Sequence, residues 1–229
     1  MNSIIGINQL RAISVLLVFL FHAEIIYGGF IGVDIFFVIS GFLIGSSIQR
    51  LKSKKTPALK VFYSRRILRL FPALLAVMVV TFFLNFVIIN DHSRIFVNRS
   101  AISALFFSSN IYDSFFSDYF ATSAAYNPYS HLWSLGIEEQ FYLVIAPIII
   151  FLKRFRFLLI LMMLISLFSF ILSSKDASIV YYFPLYRIWE LFAGVILSLY
   201  LFKKQFKKSK YNQLINTLVI IIFFTIAIY

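Results

Sequence analysis

Gly32-Val33-Asp34-Ile35-Phe36-Phe37-Val38-Ile39-Ser40-Gly41-Phe42-Leu43-Ile44-Gly45 decides the fold, because it lies in a run, 30–48, whose single charge is Asp34. A helix of about 20 such residues crosses a hydrocarbon core about 30 Å thick. Outward from it, further apolar runs lie at 11–27, 70–89, 133–152, 157–173, 180–201 and 212–229. The expected fold is an all-α, polytopic membrane helix bundle with about seven spans. Composition agrees: 61% of the 229 residues are hydrophobic and 13% charged, against roughly half and a quarter in soluble domains. The chain has no Cys, which excludes disulfides, thiol nucleophiles and Cys-ligated metals. Any catalysis falls to His, acids or hydroxyls.

The net charge of +12 is concentrated in short stretches. Of 21 Lys and Arg, 16 lie in 50–69, 153–156 and 203–210, and none of the 9 acids is there. Short basic loops face the cytoplasm, so the partner of this charge is the lipid bilayer and not nucleic acid. The same rule places the amino terminus inside and 90–132 and 174–179 outside. The stretch from Ile102 to Tyr112 is apolar but short and carries Ser103, Ser108, Ser109 and Asn110, which suits a re-entrant or interfacial segment. His22 and Glu24 interrupt the first run, against a cleaved signal peptide. The sequence stops at Tyr229 inside an apolar run and reads as the amino-terminal part of a longer protein.

Ionisable side chains inside spans are costly, so each is a candidate functional residue. Arg11 and His22 are eleven residues apart, within about 20° of three full turns and about 16 Å along the axis, so they share a helix face. The alternative is a snorkelling Arg and a His satisfied by a neighbouring helix. Asp34 enters the second span at roughly the depth of His22. It can orient an imidazole or act as a helix cap. Gly41 and Gly45 have the spacing of close helix packing.

Arg65-Arg66-Ile67-Leu68-Arg69-Leu70-Phe71-Pro72 opens the third span, gathering three guanidiniums at a helix amino terminus where anions are favoured. Anchoring by positive charge would suffice for one or two of them. In His131-Leu132-Trp133-Ser134-Leu135-Gly136-Ile137-Glu138-Glu139-Gln140-Phe141-Tyr142 two adjacent acids lie inside the outer end of a span. Successive residues differ by about 100°, so one of them faces a given site, and Glu138 is the choice. Trp133 and Tyr142 suit interface anchors. Arg187 and Glu190, at i,i+3, form a local ion pair or contact substrate. No metal-ligand spacing is present: the three His residues, His22, His92 and His131, are scattered.

Leu10-Arg11-Ala12 through His22, the Gly32–Gly45 block, Arg65–Pro72, His131–Tyr142 and Arg187-Ile188-Trp189-Glu190-Leu191-Phe192-Ala193-Gly194, in this order, resemble acyltransferase family 3. These are integral membrane acyltransferases that include the bacterial enzymes O-acetylating exported glycans. Gln9 departs from the Gly usual in the family. The resemblance makes 1–229 one membrane acyltransferase domain, carboxy-terminally incomplete, of a bundle with roughly ten spans. It implies transfer of an acyl group from cytoplasmic acyl-CoA, most often acetyl-CoA, to a hydroxyl of an extracytoplasmic carbohydrate, in a bacterial inner membrane. On this reading His22 is general base or acyl carrier, with Arg11, Asp34 and Glu138 beside it in the chemistry. Arg65, Arg66 and Arg69 bind the donor, while Arg187, Glu190, His131 and Trp133 contact substrate or serve as structural charge. A transporter or flippase lined by the same charges is the competing class.

Overall fold

A computed structural model describes residues 5–52, 57–88, 91–116, 127–152, 155–173 and 177–203. Among them the ordered elements are helical, with no strand: α1 (Ile5–His22), α2 (Ile31–Lys52), α3 (Ala58–Ile88), α4 (Asp91–Leu105), α5 (Ser109–Phe116), α6 (Trp133–Phe151), α7 (Phe155–Ile171), α8 (Ala177–Tyr182) and α9 (Pro184–Lys203). Among the described residues four segments are long and apolar enough to cross a membrane: Tyr27–Lys52, Ala58–Asn85, Ser130–Phe151 and Ser178–Tyr200. These match four of the expected spans, and the chain is an all-α membrane protein. Gly6–His22 and Phe155–Ile171 are apolar but shorter. The expected span at 212–229 lies outside the described residues.

The basic stretch 50–69, expected as a loop, is mostly helix. α2 runs on to Lys52 and α3 begins at Ala58, directly after Pro57. Lys, Arg and Leu are good helix formers, so a charge run that ends a hydrophobic span need not end its helix. The 31 residues of α3 extend about 46 Å, well beyond a hydrocarbon core.

The described residues divide into two compact units, one within 5–46 and 190–203 and the other within 47–189. In the first, α1 closes with a left-handed Glu24 (φ 58°). Ile25 N–H donates to Leu20 O (2.9 Å) and Glu24 N–H to Phe21 O (3.0 Å), the paired bonds that satisfy the carbonyls of a helix end. After the 3₁₀ turn Tyr27–Phe30, α2 returns antiparallel along α1, with Gly32 so close that a Cβ there would lie 2.5 Å from Ser14 O. The opposite side of α2 packs on α9. Gly41 abuts the Leu191 carbonyl, Gly194 the Val38 carbonyl and Gly45 the Ser198 hydroxyl, so small residues set the helix separation as expected. Leu17, Phe37, Leu191, Phe192 and Val195 are buried around this seam.

In the second unit α3 and α6 run antiparallel, as Asn85 meets Tyr129 at one end and Tyr63 meets Leu143 at the other. Pro147 lies inside α6 and has no N–H, so the carbonyl of Leu143 loses its intrahelical donor. The Tyr63 hydroxyl supplies one instead (3.0 Å). Lys52 Nζ donates to Ile149 O at 2.6 Å, answering a last-turn carbonyl of α6. Leu74, Met78, Val97, Ala104, Tyr129 and Leu132 form the core between α3, α4 and the start of α6.

The expected re-entrant stretch 102–112 is broken in two. α4 ends at Leu105 and α5 starts at Ser109, with Phe107 at φ 53°. Ser108 N–H donates to Ser103 O (2.8 Å) and Phe107 N–H to Ala104 O (3.0 Å), a helix stop of the kind that usually takes Gly. With Phe there instead, nothing in the local sequence announces it. α5 then packs on α6 and α8.

Candidate active site

The open face of α1 carries the first group of candidates. Asn8, Arg11, Ala12, Val15, Leu16 and Phe19 line a shallow groove with Phe36 of α2. Their spacing of three and four is one helical stripe, which the last residue of α1, His22, continues. The structure thus keeps Arg11 and His22 on one face, as the spacing predicts. The Arg11 guanidinium carbon lies 5.7 Å from the centre of the Phe36 ring, and His22 is exposed beside Phe21.

Asp34 is half-buried in the first turn of α2, where the helix dipole favours a carboxylate. That turn starts at Ile31, so Asp34 is not the capping residue. Its stripe, with Val38, Gly41 and Gly45, is the side of α2 that packs on α9, whereas Gly32 and Phe36 take the α1 side.

The second group is in the other unit, and its centre is Arg66. Its Nη2 is 2.5 Å from Glu139 Oε1, and its Nε lies 2.6 and 2.9 Å from the two oxygens of Glu139. The same Nη2 is 3.8 Å from Glu138 Oε2. The guanidinium carbon stands 3.7 Å from the centre of the Tyr142 ring, and the Tyr142 hydroxyl donates to Glu138 Oε2 at 3.1 Å. One cation therefore serves two carboxylates unequally.

Two expectations are corrected here. The arginines are not at a helix amino terminus, since α3 starts at Ala58. Arg66 is about 12 Å inside it, past the turn where the dipole acts. Nor do Arg66 and Glu138 lie toward opposite sides of the membrane: the ion pair puts them at one depth, with Glu138 about 20 Å from the Phe151 end of α6. Arg65 and Arg69 are exposed on α3.

Trp133 and Tyr142 are not interface anchors, being 3% and 2% exposed. Tyr142 is covered by Arg66, and Trp133 packs against Tyr181 and Tyr182 (ring centres 4.7 and 5.4 Å). Arg187 is buried with its guanidinium carbon 4.9 Å from the Tyr181 ring centre. Beside it, the Ser166 hydroxyl donates to Leu185 O (2.6 Å) and accepts from Trp189 N–H (3.1 Å), standing in one i→i+4 step of α9. Glu190, in the other unit, is also buried, and His131 is exposed in the turn before α6. Gln140 Nε2 ties α6 to Phe107 O (2.7 Å) and Asn110 Oδ1 (2.9 Å), which fixes α5 and its buried Asp113. Among the described residues no group of three or more His, Asp or Glu is placed to hold a metal ion.

The family model of an acyltransferase domain matches residues 4–229. The chain belongs to acyltransferase family 3. Similar curated proteins include the O-acetyltransferase OatA of Staphylococcus aureus, 39% identical over 208 residues that make up 84% of this chain and 34% of OatA. An uncharacterized protein of Haemophilus influenzae is 36% identical over 182 residues, covering 73% of this chain and 74% of that one. The chain spans about a third of the length of OatA. No solved structure matches it.

Sequence reasoning missed Glu139 as the main partner of Arg66, gave Asn110 and Gln140 no role at the site, and did not single out Tyr63 or Tyr181. A local signal existed for Tyr142 alone: it stands four residues after Glu138, the spacing at which side chains on one helix meet.

Proposed function

We propose that this chain is the membrane part of an O-acyltransferase that moves an acyl group, most simply acetyl, from cytoplasmic acyl-CoA to a hydroxyl of an extracytoplasmic carbohydrate of the cell envelope. The observation that carries the reading is the open stripe of α1, with a cation at one end, His22 at the other and apolar residues between, in a family of acyltransferases. The name of OatA, an O-acetyltransferase, supports oxygen as the acceptor atom and acetyl as the group.

Arg65 and Arg69, exposed on α3, receive the donor's phosphates, to which guanidinium is well matched. In the transfer step the acceptor oxygen bonds to the thioester carbonyl carbon and the C–S bond breaks. The hydroxyl proton passes to His22 as general base and then to the departing thiolate. In the relay version an imidazole nitrogen of His22 attacks the thioester carbon, the C–S bond breaks and CoA leaves as the thiol with the imidazole proton. The acceptor oxygen then takes the acyl group as the N–C bond breaks, and its proton passes to the imidazole. Arg11 stabilises the charge that develops on the carbonyl oxygen. Asp34 and Glu138 are the carboxylates of the reading.

Seven spans in this chain, an amino terminus in the cytoplasm and residence in a bacterial inner membrane complete the reading. Purified full-length protein given labelled acetyl-CoA and an envelope glycan should release CoA and label the glycan on oxygen. Movement of glycan across vesicles without labelling would favour a flippase and overturn the reading.

A further inference from the structure

We infer that Arg66, unlike its neighbours Arg65 and Arg69, is a positioning residue that holds Glu138 through Glu139 and Tyr142, and is not a ligand of the donor. The inference rests on the acyl-transfer reading above in taking Glu138 as a residue of the site.

The geometry separates the three arginines. Arg65 and Arg69 are exposed and leave their guanidiniums available. Arg66 has Nε and Nη2 engaged by Glu139, and its face is covered by the Tyr142 ring at 3.7 Å. A phosphate binds guanidinium best through two parallel N–H bonds, and here Glu139 takes the Nε–Nη2 edge that would offer them.

What Arg66 holds is specific. Glu138 Oε2 is approached from one side by Nη2 of Arg66 (3.8 Å) and from another by the Tyr142 hydroxyl (3.1 Å), on a ring that Arg66 itself covers. Tyr63, three residues before Arg66, is bonded to the α6 backbone at Leu143 O, so the stretch of α3 bearing Arg66 is tied to the helix bearing both acids. Anchoring at a headgroup does not explain the arrangement. Arg66 lies about 12 Å inside α3, and Glu139 about 18 Å from the end of α6.

Two carboxylates adjacent on one helix repel each other at this depth unless a cation is shared between them. Arg66 is that cation. Its short bonds go to Glu139, while Glu138 meets it at 3.8 Å and accepts from the Tyr142 hydroxyl.

The test uses full-length protein in detergent and two independent readouts. In a thermal-unfolding cycle of Arg66→Met, Glu139→Gln and the double variant, each single change should lower the midpoint, because it strands a charge that is at most one-fifth exposed. The double variant should lose clearly less than the sum of the two single changes, because it removes both partners of the Arg66–Glu139 pair and leaves Glu138 alone without its cation. Additive losses would overturn the inference whatever the protein transfers.

In steady-state transfer from labelled acetyl-CoA, Arg66→Lys and Tyr142→Phe should lower kcat about tenfold or more with the donor KM within about twofold. Arg65→Ala and Arg69→Ala should instead raise the donor KM about fivefold or more. A raised donor KM with kcat preserved in Arg66→Lys would make Arg66 a donor ligand and overturn the inference. Wild-type protein that transfers nothing from acetyl-CoA would refute the donor reading instead, and the unfolding cycle would still decide whether Arg66 holds the pair.

Discussion

Replacing Gly41 by Ala adds one methyl group to the seam between α2 and α9, and its cost follows from what that methyl meets. The new Cβ would collide with the backbone carbonyl of Leu191, which cannot rotate away, so the two helices must separate along their contact. Overpacking of this kind costs about 1–3 kcal/mol, and the contact is close enough to take the upper half of that range. Ala gains about 1 kcal/mol over Gly in helix propensity, which leaves a net loss of about 1–2 kcal/mol. For a chain of this size that is a fall of about 2–8 °C in the unfolding midpoint.

Gly45→Ala is the internal comparison. There the methyl meets the Ser198 hydroxyl, which can rotate at the expense of its 2.7 Å bond to Val195 O. Losing that bond costs about 0.5–1.5 kcal/mol, nearly matched by the same propensity gain. Thermal unfolding of detergent-purified protein, followed by intrinsic tryptophan fluorescence or light scattering, would read both. If Gly41→Ala unfolds with the wild type, or Gly45→Ala falls as far as Gly41→Ala, the claim that backbone contact sets this helix separation is wrong.

His22→Ala should leave folded, membrane-inserted protein whose transfer rate is down by about 10²–10⁴, and a variant keeping more than about a tenth of wild-type transfer would remove His22 from the chemistry. Tyr63→Phe should destabilise by about 0.5–1.5 kcal/mol, and much less in a Pro147→Ala background, where α6 can bond its own Leu143 carbonyl. Equal losses in the two backgrounds would contradict the account of that bond. Since the chain has no native Cys, single-Cys labelling reads topology directly: an impermeant thiol reagent outside intact cells should reach a Cys replacing Ser117 and not one replacing Ser53. The reverse pattern would invert the bundle.

The sequence alone determined the properties that depend on neighbours within one helix. Apolar runs of sufficient length commit the chain to an all-α membrane fold, because a backbone in hydrocarbon must satisfy its own hydrogen bonds. The 3.6-residue period places Arg11 and His22 on one stripe and brings Gly41 and Gly45 to one contact line, and the structure keeps both relations. What no period contains is the register of one helix against another. The antiparallel alignment of α3 with α6 gives Arg66 to Glu139 before Glu138, and raises both ends of that pair to a common depth.

Tertiary packing likewise buried Trp133 under Tyr181 and Tyr182, where composition suggested an interface. It also stopped a helix at Phe107, where Gly is the usual residue, with the Phe107 carbonyl accepting from Gln140. In each case the deciding partner is about 30 to 75 residues away in the chain. Such contacts form only after the helices that carry them have paired, and a reading confined to one helix at a time has no access to them.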